Sequence, residues 1–316
     1  MKNKKYVALA LLSFSVICLF AFVNTNKTYT PYQKQVLRKI VIDAGHGGTD
    51  AGAHGKYSYE KDISLAISLQ LQKVLQEQMP DVEIYMTRTT DIFDNVRVKA
   101  IKANQAKGDL FICIHCNDAG SIKHSEVIGY KTVKYKKNGK SYTKKVPQYH
   151  TWRTPSTAKG TETYIWGIGK NDDKEDAVKE TLSEDNYIDS ASAKEIKSFD
   201  PTDPAQMIAI SLRTQQYGER SRNLALTVED EFVKAGRFSR GAKQRNEKGI
   251  WVLQATNMPA ILVETGFISN PDEEDYLNST NGQKETAECI VRAVKRYRYS
   301  LEHKIISNID TTKIHK

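Results

Sequence analysis

Cysteine is scarce: four residues in a chain of 316, too few for a disulfide scaffold. No segment repeats. No nucleic-acid motif accompanies the formal net charge of +9, so no nucleic-acid partner is expected. Long apolar runs are also missing, with one exception. Tyr6 to Val23 carries no charge and follows Lys2, Lys4 and Lys5, the pattern of an export leader. At 18 residues it is also just long enough to span a bilayer. Residues 1–23 therefore read as a signal peptide or a membrane anchor, with anchoring through residues 6–23 left open. The large Ile17 before Cys18 argues against a lipoprotein site. Either way the body is expected outside the cytoplasmic membrane, in the periplasm or cell envelope. Residues 24–37 read as a polar linker and 303–316 as a polar tail. The rest, within a composition of 39% hydrophobic and 27% charged residues, suits a soluble globular body.

Chemistry concentrates where apolar runs stop. Ile40 to Ile42 reads as a buried strand that breaks into Gly45-His46-Gly47-Gly48, a sharp turn that leaves His46 at a sheet edge. Ligands in open α/β sheets gather at the carboxyl ends of strands. Ile63, Ala66, Ile67, Leu71, Val74 and Leu75 have helical spacing, which puts Glu60 at a helix N-terminus. The dipole favours a carboxylate there by about 0.3–1 kcal/mol, so a purely structural role is one reading and a metal ligand the other. Glu83–Thr87 reads as a second strand and residues 92–106 as a second helix. Asp109–His115 is a third strand, apolar until His115. Two histidines and a glutamate at one edge supply two nitrogens and an oxygen, the ligand set of catalytic zinc sites with a fourth position open. A fourth apolar run, Pro259 to Val263, ends in Glu264; a lone buried carboxylate is costly unless something pairs with it.

Between His115 and Glu264 the chain is long. Residues 123–145 hold eight lysines and one glutamate, net +7, and surround Asn138-Gly139, a strong hairpin signal. Residues 171–200 hold ten acids and four lysines, net −6. Both runs read either as solvated surface or as functional: a basic hairpin meeting an anionic surface, an acidic stretch folding over the site. Further on, Ala205–Ala235 is helical with a break near Tyr217-Gly218, Ile250–Leu253 reads as a strand beside the Glu264 strand, and Glu285–Ser300 as a closing helix. The expected fold is α/β: a three-layer domain with a twisted mixed sheet flanked by helices, plus a basic hairpin and an acidic insertion.

The sequence resembles the zinc-dependent N-acetylmuramoyl-L-alanine amidases, the amidase-3 family of cell-wall hydrolases. The resemblance is carried by Val41-Ile42-Asp43-Ala44-Gly45-His46-Gly47-Gly48, Glu60-Lys61-Asp62, Thr87-Arg88-Thr89, Phe111-Ile112-Cys113-Ile114-His115-Cys116-Asn117, Gly160-Thr161-Glu162-Thr163-Tyr164, Arg240-Gly241-Ala242-Lys243 and Leu262-Val263-Glu264-Thr265-Gly266-Phe267-Ile268-Ser269-Asn270. It implies a catalytic domain over residues 38–302 with insertions at about 120–160 and 167–206. It implies one Zn2+ per chain held by His46, Glu60 and His115, with Glu264 as the catalytic carboxylate. The implied reaction is hydrolysis of the amide between N-acetylmuramic acid and L-alanine in peptidoglycan, for wall remodelling and daughter-cell separation. The alternatives are another exported zinc peptidase acting on stem peptides and a wall-binding protein without catalysis. In some cell-division members an inserted helix occupies the zinc cleft until an activator protein displaces it. By that resemblance residues 167–206 are autoinhibitory, with Glu175, Glu180 or Glu184 as the plug. Cys116 departs from the small residue usual after the second histidine. A structural Cys-x-His-Cys zinc cluster is the competing reading, against which strand alternation places Cys113 in the core.

Overall fold

Strands β1 (Lys39–Ala44), β3 (Leu110–Asn117) and β8 (Ala260–Phe267) are apolar without alternation because both of their faces are covered. They form the middle of a six-stranded sheet in a computed structural model that describes residues 37–167, 169, 171–184, 200, 202–246 and 249–303. The chain divides into units 1–35 and 36–316, and the described residues all lie in the second. The expected leader at 1–23, most of the 24–37 linker and residues 304–316 of the tail lie outside them.

The remaining strands are β2 (Glu83–Met86), β6 (Thr161–Ile165) and β7 (Ser239–Gln244). The sheet order is β2-β1-β3-β8-β6-β7. Every neighbouring pair is parallel except β6 with β8, so the sheet is mixed. Seven helices are present among the described residues: α1 (Glu60–Gln78), α2 (Val96–Gln105), α3 (Asn171–Glu184), α4 (Pro204–Lys234), α5 (Trp251–Gln254), α6 (Pro271–Asn278) and α7 (Thr280–His303).

Alternation sorts the strand residues into two cores. Ile40, Ile42, Ile112, Ile114, Ile261 and Val263 pack with α1, α4 and α7. Val41, Phe111, Cys113 and Leu262 face the other way, with Ala100, Ala103, Val252 and Leu253 of α2 and α5. The result is helices, sheet, helices, the expected three layers. Strands β4 (Ile122–Lys137) and β5 (Lys140–Thr154) form a separate two-stranded antiparallel sheet, which is the expected hairpin.

Three elements differ from expectation. Ile250–Leu253 contributes no strand; Trp251–Gln254 is one helical turn, and the places beside β8 are filled by β3 and β6. The second helix starts only at Val96, because the Asn95 side chain accepts from the Arg97 and Val98 amides and caps it there. Helix α4 runs through Gly218 unbroken. A Cβ on Gly218 would lie 3.4 Å from the Trp166 ring, an ordinary contact, so this glycine neither breaks the helix nor is required for its packing.

The acidic insertion also differs in place. Because β6 is antiparallel to β8, with Glu162 opposite Glu264 and Tyr164 opposite Leu262, the chain leaves β6 at the end of the sheet remote from Glu264. There Lys174, fully buried, donates to the carbonyls of Leu253, Thr256 and Met258, all preceding β8, and sits 4.6 Å over the Trp166 ring. Glu175 lines a cavity of about 380 Å³ with Trp166, Arg222 and Gln244. It cannot plug a metal at the strands' other end. The side chains of Glu180 and Glu184, and residues 185–199, lie outside the described residues.

Candidate metal centre

His46 follows β1 in the left-handed region, at φ 58°, a conformation uncommon outside glycine. The turn is held from below by Arg88, buried, whose Nε donates to the Ala44 carbonyl at 3.0 Å and whose Nη2 donates to those of Gly45 and Lys61 at 2.7 and 2.8 Å. His115 comes from the end of β3. A Cβ on Gly45 would lie 2.5 Å from His115 Cε1, and one on Gly52 would lie 2.6 Å from His46 Cδ2. Glycine at both positions is what lets the two rings approach, edge to face with centroids 4.8 Å apart.

Glu60, the first residue of α1, lies between the rings. Its Oε2 is 3.1 Å from His46 Nε2 and its Oε1 2.8 Å from His115 Nδ1. The Cys116 and Ala53 amides donate to the same two oxygens at 3.0 and 2.9 Å. Burial pushes this carboxyl upward, but the hydrogen bonds from His115 and His46 outweigh it and hold Glu60 far below the usual carboxylate range. His46 Nδ1 is 2.9 Å from Asp50 Oδ2. Burial alone would lower the His46 pKa; its contacts with Glu60 and Asp50 raise it above the ordinary value. One ligand atom from each of His46, Glu60 and His115 lies within 4.8 Å of the others. The donor set is two imidazole nitrogens and a carboxylate oxygen, with Asp50 orienting one imidazole, as outer partners of metal ligands do. The three residues can hold a metal ion.

Glu264 stands beside this group, since His115 and Glu264 are register partners on β3 and β8. It is 7% exposed. Its Oε2 is buried without a hydrogen-bond partner among the described residues, a costly state for an ionised carboxylate. Burial pushes its pKa up to about 7, against a smaller opposing pull from His115.

The far side of Glu264 is lined by a glutamate to which the sequence assigns no role. Glu162, opposite it on β6, accepts from Arg240, from Lys243 at 2.8 Å, from Tyr164 at 2.5 Å and from Asn117 at 3.1 Å. Burial alone would raise its pKa, but these donors hold it below the usual range. Two carboxylates thus lie side by side on neighbouring strands, one saturated with donors and the other nearly bare. Asp50 was also missed; its signal was the i, i+4 spacing from His46 on one turn. The cysteines do not join the group. Cys113 donates to Asp43 Oδ2 at 3.0 Å and Cys116 Sγ lies 3.6 Å from Thr265 Oγ1. Both thiols are buried, and burial pushes both pKa values well up.

Comparison with known proteins places this geometry. The family model described as N-acetylmuramoyl-L-alanine amidase matches residues 40–296. The amidase AmiC of Escherichia coli is 30% identical over 261 residues, covering 82% of this chain and 52% of that protein. The germination-specific N-acetylmuramoyl-L-alanine amidase of Bacillus subtilis is 24% identical over 313 residues, covering 93% and 96%. The crystal structure of an N-acetylmuramoyl-L-alanine amidase from Clostridium difficile 630 is 26% identical with a TM-score of 0.53, covering 84% of this chain and 99% of that one. The chain spans about half the length of its AmiC relatives, 52% in each case.

Proposed function

Given that this chain belongs to the amidase-3 family of N-acetylmuramoyl-L-alanine amidases, we propose that it hydrolyses the amide between the lactyl group of N-acetylmuramic acid and L-alanine in peptidoglycan. One observation carries the assignment of roles: a buried glutamate with an unpartnered oxygen, Glu264, register-paired with one residue of a His–Glu–His metal group. We assign His46, Glu60 and His115 as ligands to one Zn2+, because their donor set matches that of catalytic zinc sites. When bound, zinc supplies Lewis acidity, which acidifies water and polarises a carbonyl.

The protein's own part is to place and move a proton. Glu264, pushed up to about 7, is suited to take the proton of the attacking water and then deliver it to the departing L-alanine nitrogen, as general base and then acid. Asp50 holds the His46 ring so that Nε2 faces Glu60. Glu162, neutralised by Arg240 and Lys243, cannot draw a proton away from Glu264.

The test is mass spectrometry of digested walls. The expected products are peptides beginning with free L-alanine, absent with Glu264→Gln and His115→Ala. Cleavage inside the stem peptide, with that amide intact, would replace this reading by a peptidase. Export by residues 1–23 belongs to the same proposal and is read by locating the full chain after fractionation. The role in daughter-cell separation is tested by cell chaining on loss of the protein. Regulation by an activator is assigned to the stretch that carries Glu180, Glu184 and residues 185–199. Higher basal activity on deleting them supports it, and unchanged activity removes it.

A further inference from the structure

The β4–β5 ribbon is not explained by the chemistry above. It leaves β3 directly after Asn117 and returns to β6 directly before Thr161 and Glu162. Its feet are fastened to the loop that follows β8. The Ala119 amide donates to Ser269 Oγ at 3.0 Å, the Ser156 amide to the Ser269 carbonyl at 3.2 Å, and Asn270 Nδ2 to the Ala158 carbonyl at 3.0 Å. Both feet therefore stand at the edge that carries His115 and Glu264. Strands of 16 and 15 residues reach about 50 Å at ~3.3 Å per residue.

A lone two-stranded sheet is at best marginally stable in water. This one is stiffened along its length by stacking of Trp152 with His124 and His150, and of Tyr135 with Tyr142. Even so it leaves large side chains in solvent: Tyr130 is 66% exposed and Ile128 65%. The pairing register puts Lys131, Lys137, Lys140 and Lys144 on one face. It puts Lys123, Lys134, Lys136, Lys145 and Arg153 on the other. Glu126 is the single acid in residues 122–154.

We propose that the ribbon is a docking arm for a phosphate polyanion carried by the cell wall, a phosphodiester-linked polyol or sugar chain, which it holds beside the metal edge. Charge complementarity selects a polyanion. The distribution of charge selects a flexible one: a flat lipid surface can meet one face of a ribbon, whereas cations stand on both. The tip, Lys136-Lys137-Asn138-Gly139-Lys140, is charged and not apolar, which disfavours insertion into a bilayer. The exposed rings between the lysines offer flat apolar surface to sugar units. The inference rests on the proposed function only in taking the wall as the place of action.

The experiment is co-sedimentation of the full chain with purified walls, with chelator present so that turnover plays no part. Intact walls are compared with walls stripped of phosphodiester polymers by hydrofluoric acid. The expected result is more than about tenfold weaker binding to stripped walls. A similar loss is expected on raising salt, and for the variant with Lys131, Lys134, Lys136, Lys137, Lys140 and Lys144 changed to Gln. That variant should keep its melting temperature and its activity on a soluble muramoyl-peptide, which separates lost docking from lost folding. Equal binding to stripped and intact walls, or undiminished binding by the variant, overturns the inference. So does binding to anionic vesicles as strong as to walls, which would assign the arm to a lipid surface. Binding that behaves as expected in a protein that releases no L-alanine-ended peptides would remove the proposed activity and leave the docking arm.

Discussion

Glu264 and Glu162 show how environment divides two identical side chains. Both are buried on adjacent strands, but Glu162 accepts from four donors and Glu264 Oε2 from none among the described residues. Folding raises the Glu264 pKa from 4.5 to about 7, so its stabilising contribution is complete below pH 4.5 and is lost as pH rises through 7. In chelated protein, Glu264→Gln should therefore be more stable than the parent at pH 8, by up to about 3 kcal/mol in denaturant unfolding. The gain should vanish toward pH 4.5, and a gain largest in acid would contradict the assignment. The same variant should retain zinc and lose at least about 100-fold in kcat, the usual scale for a lost general base. Asp50→Ala should weaken zinc binding about 10–100-fold, as loss of an outer partner does, with kcat largely kept at saturating metal; competition with a chromophoric chelator reads it. The strand-end histidines and Glu264 were legible because each closes an apolar run. Glu162 is not, because its role exists only once a neighbouring strand brings it to its partners, and Asp50 offers only its i, i+4 spacing from His46, which gains meaning once the turn closes.

Among the elements, α3 is the one whose place the sequence misdirects. Its acids suggest a lid, but its position follows from Lys174, one of four lysines inside the acidic run. Burial pushes the Lys174 pKa well below its ordinary value, and three backbone carbonyls receive its protons. Lys174→Ala should leave those carbonyls unpaired and destabilise the protein by about 2–4 kcal/mol, read by denaturant unfolding, while activity of the folded fraction stays unchanged. A rise in activity would restore the lid reading to α3. Ile250–Leu253 was misread for a different reason: a four-residue apolar run has too few residues to show a period. Helix α4 reads as broken in the sequence because Gly218 weakens helices by about 1 kcal/mol, a cost that the 31-residue helix absorbs.

For the whole molecule, metal and fold are linked. His46, Glu60 and His115 come from three separate elements, so an ion that binds them only when folded must stabilise the chain by mass action. Chelation should lower the melting temperature and abolish hydrolysis, and readdition of zinc should restore both. An unchanged melting temperature with lost activity would place the ion elsewhere.

Strand β6 is only five residues long, yet it separates two insertions of opposite charge. Because it runs against β8, the chain that enters it comes from one end of the sheet and the chain that leaves it departs from the other. The basic ribbon and the described part of the acidic insertion, helix α3, are therefore rooted at opposite ends of the sheet. For protein engineering, this short strand gives the domain two graft ports, one at the mouth of the cleft and one at its base.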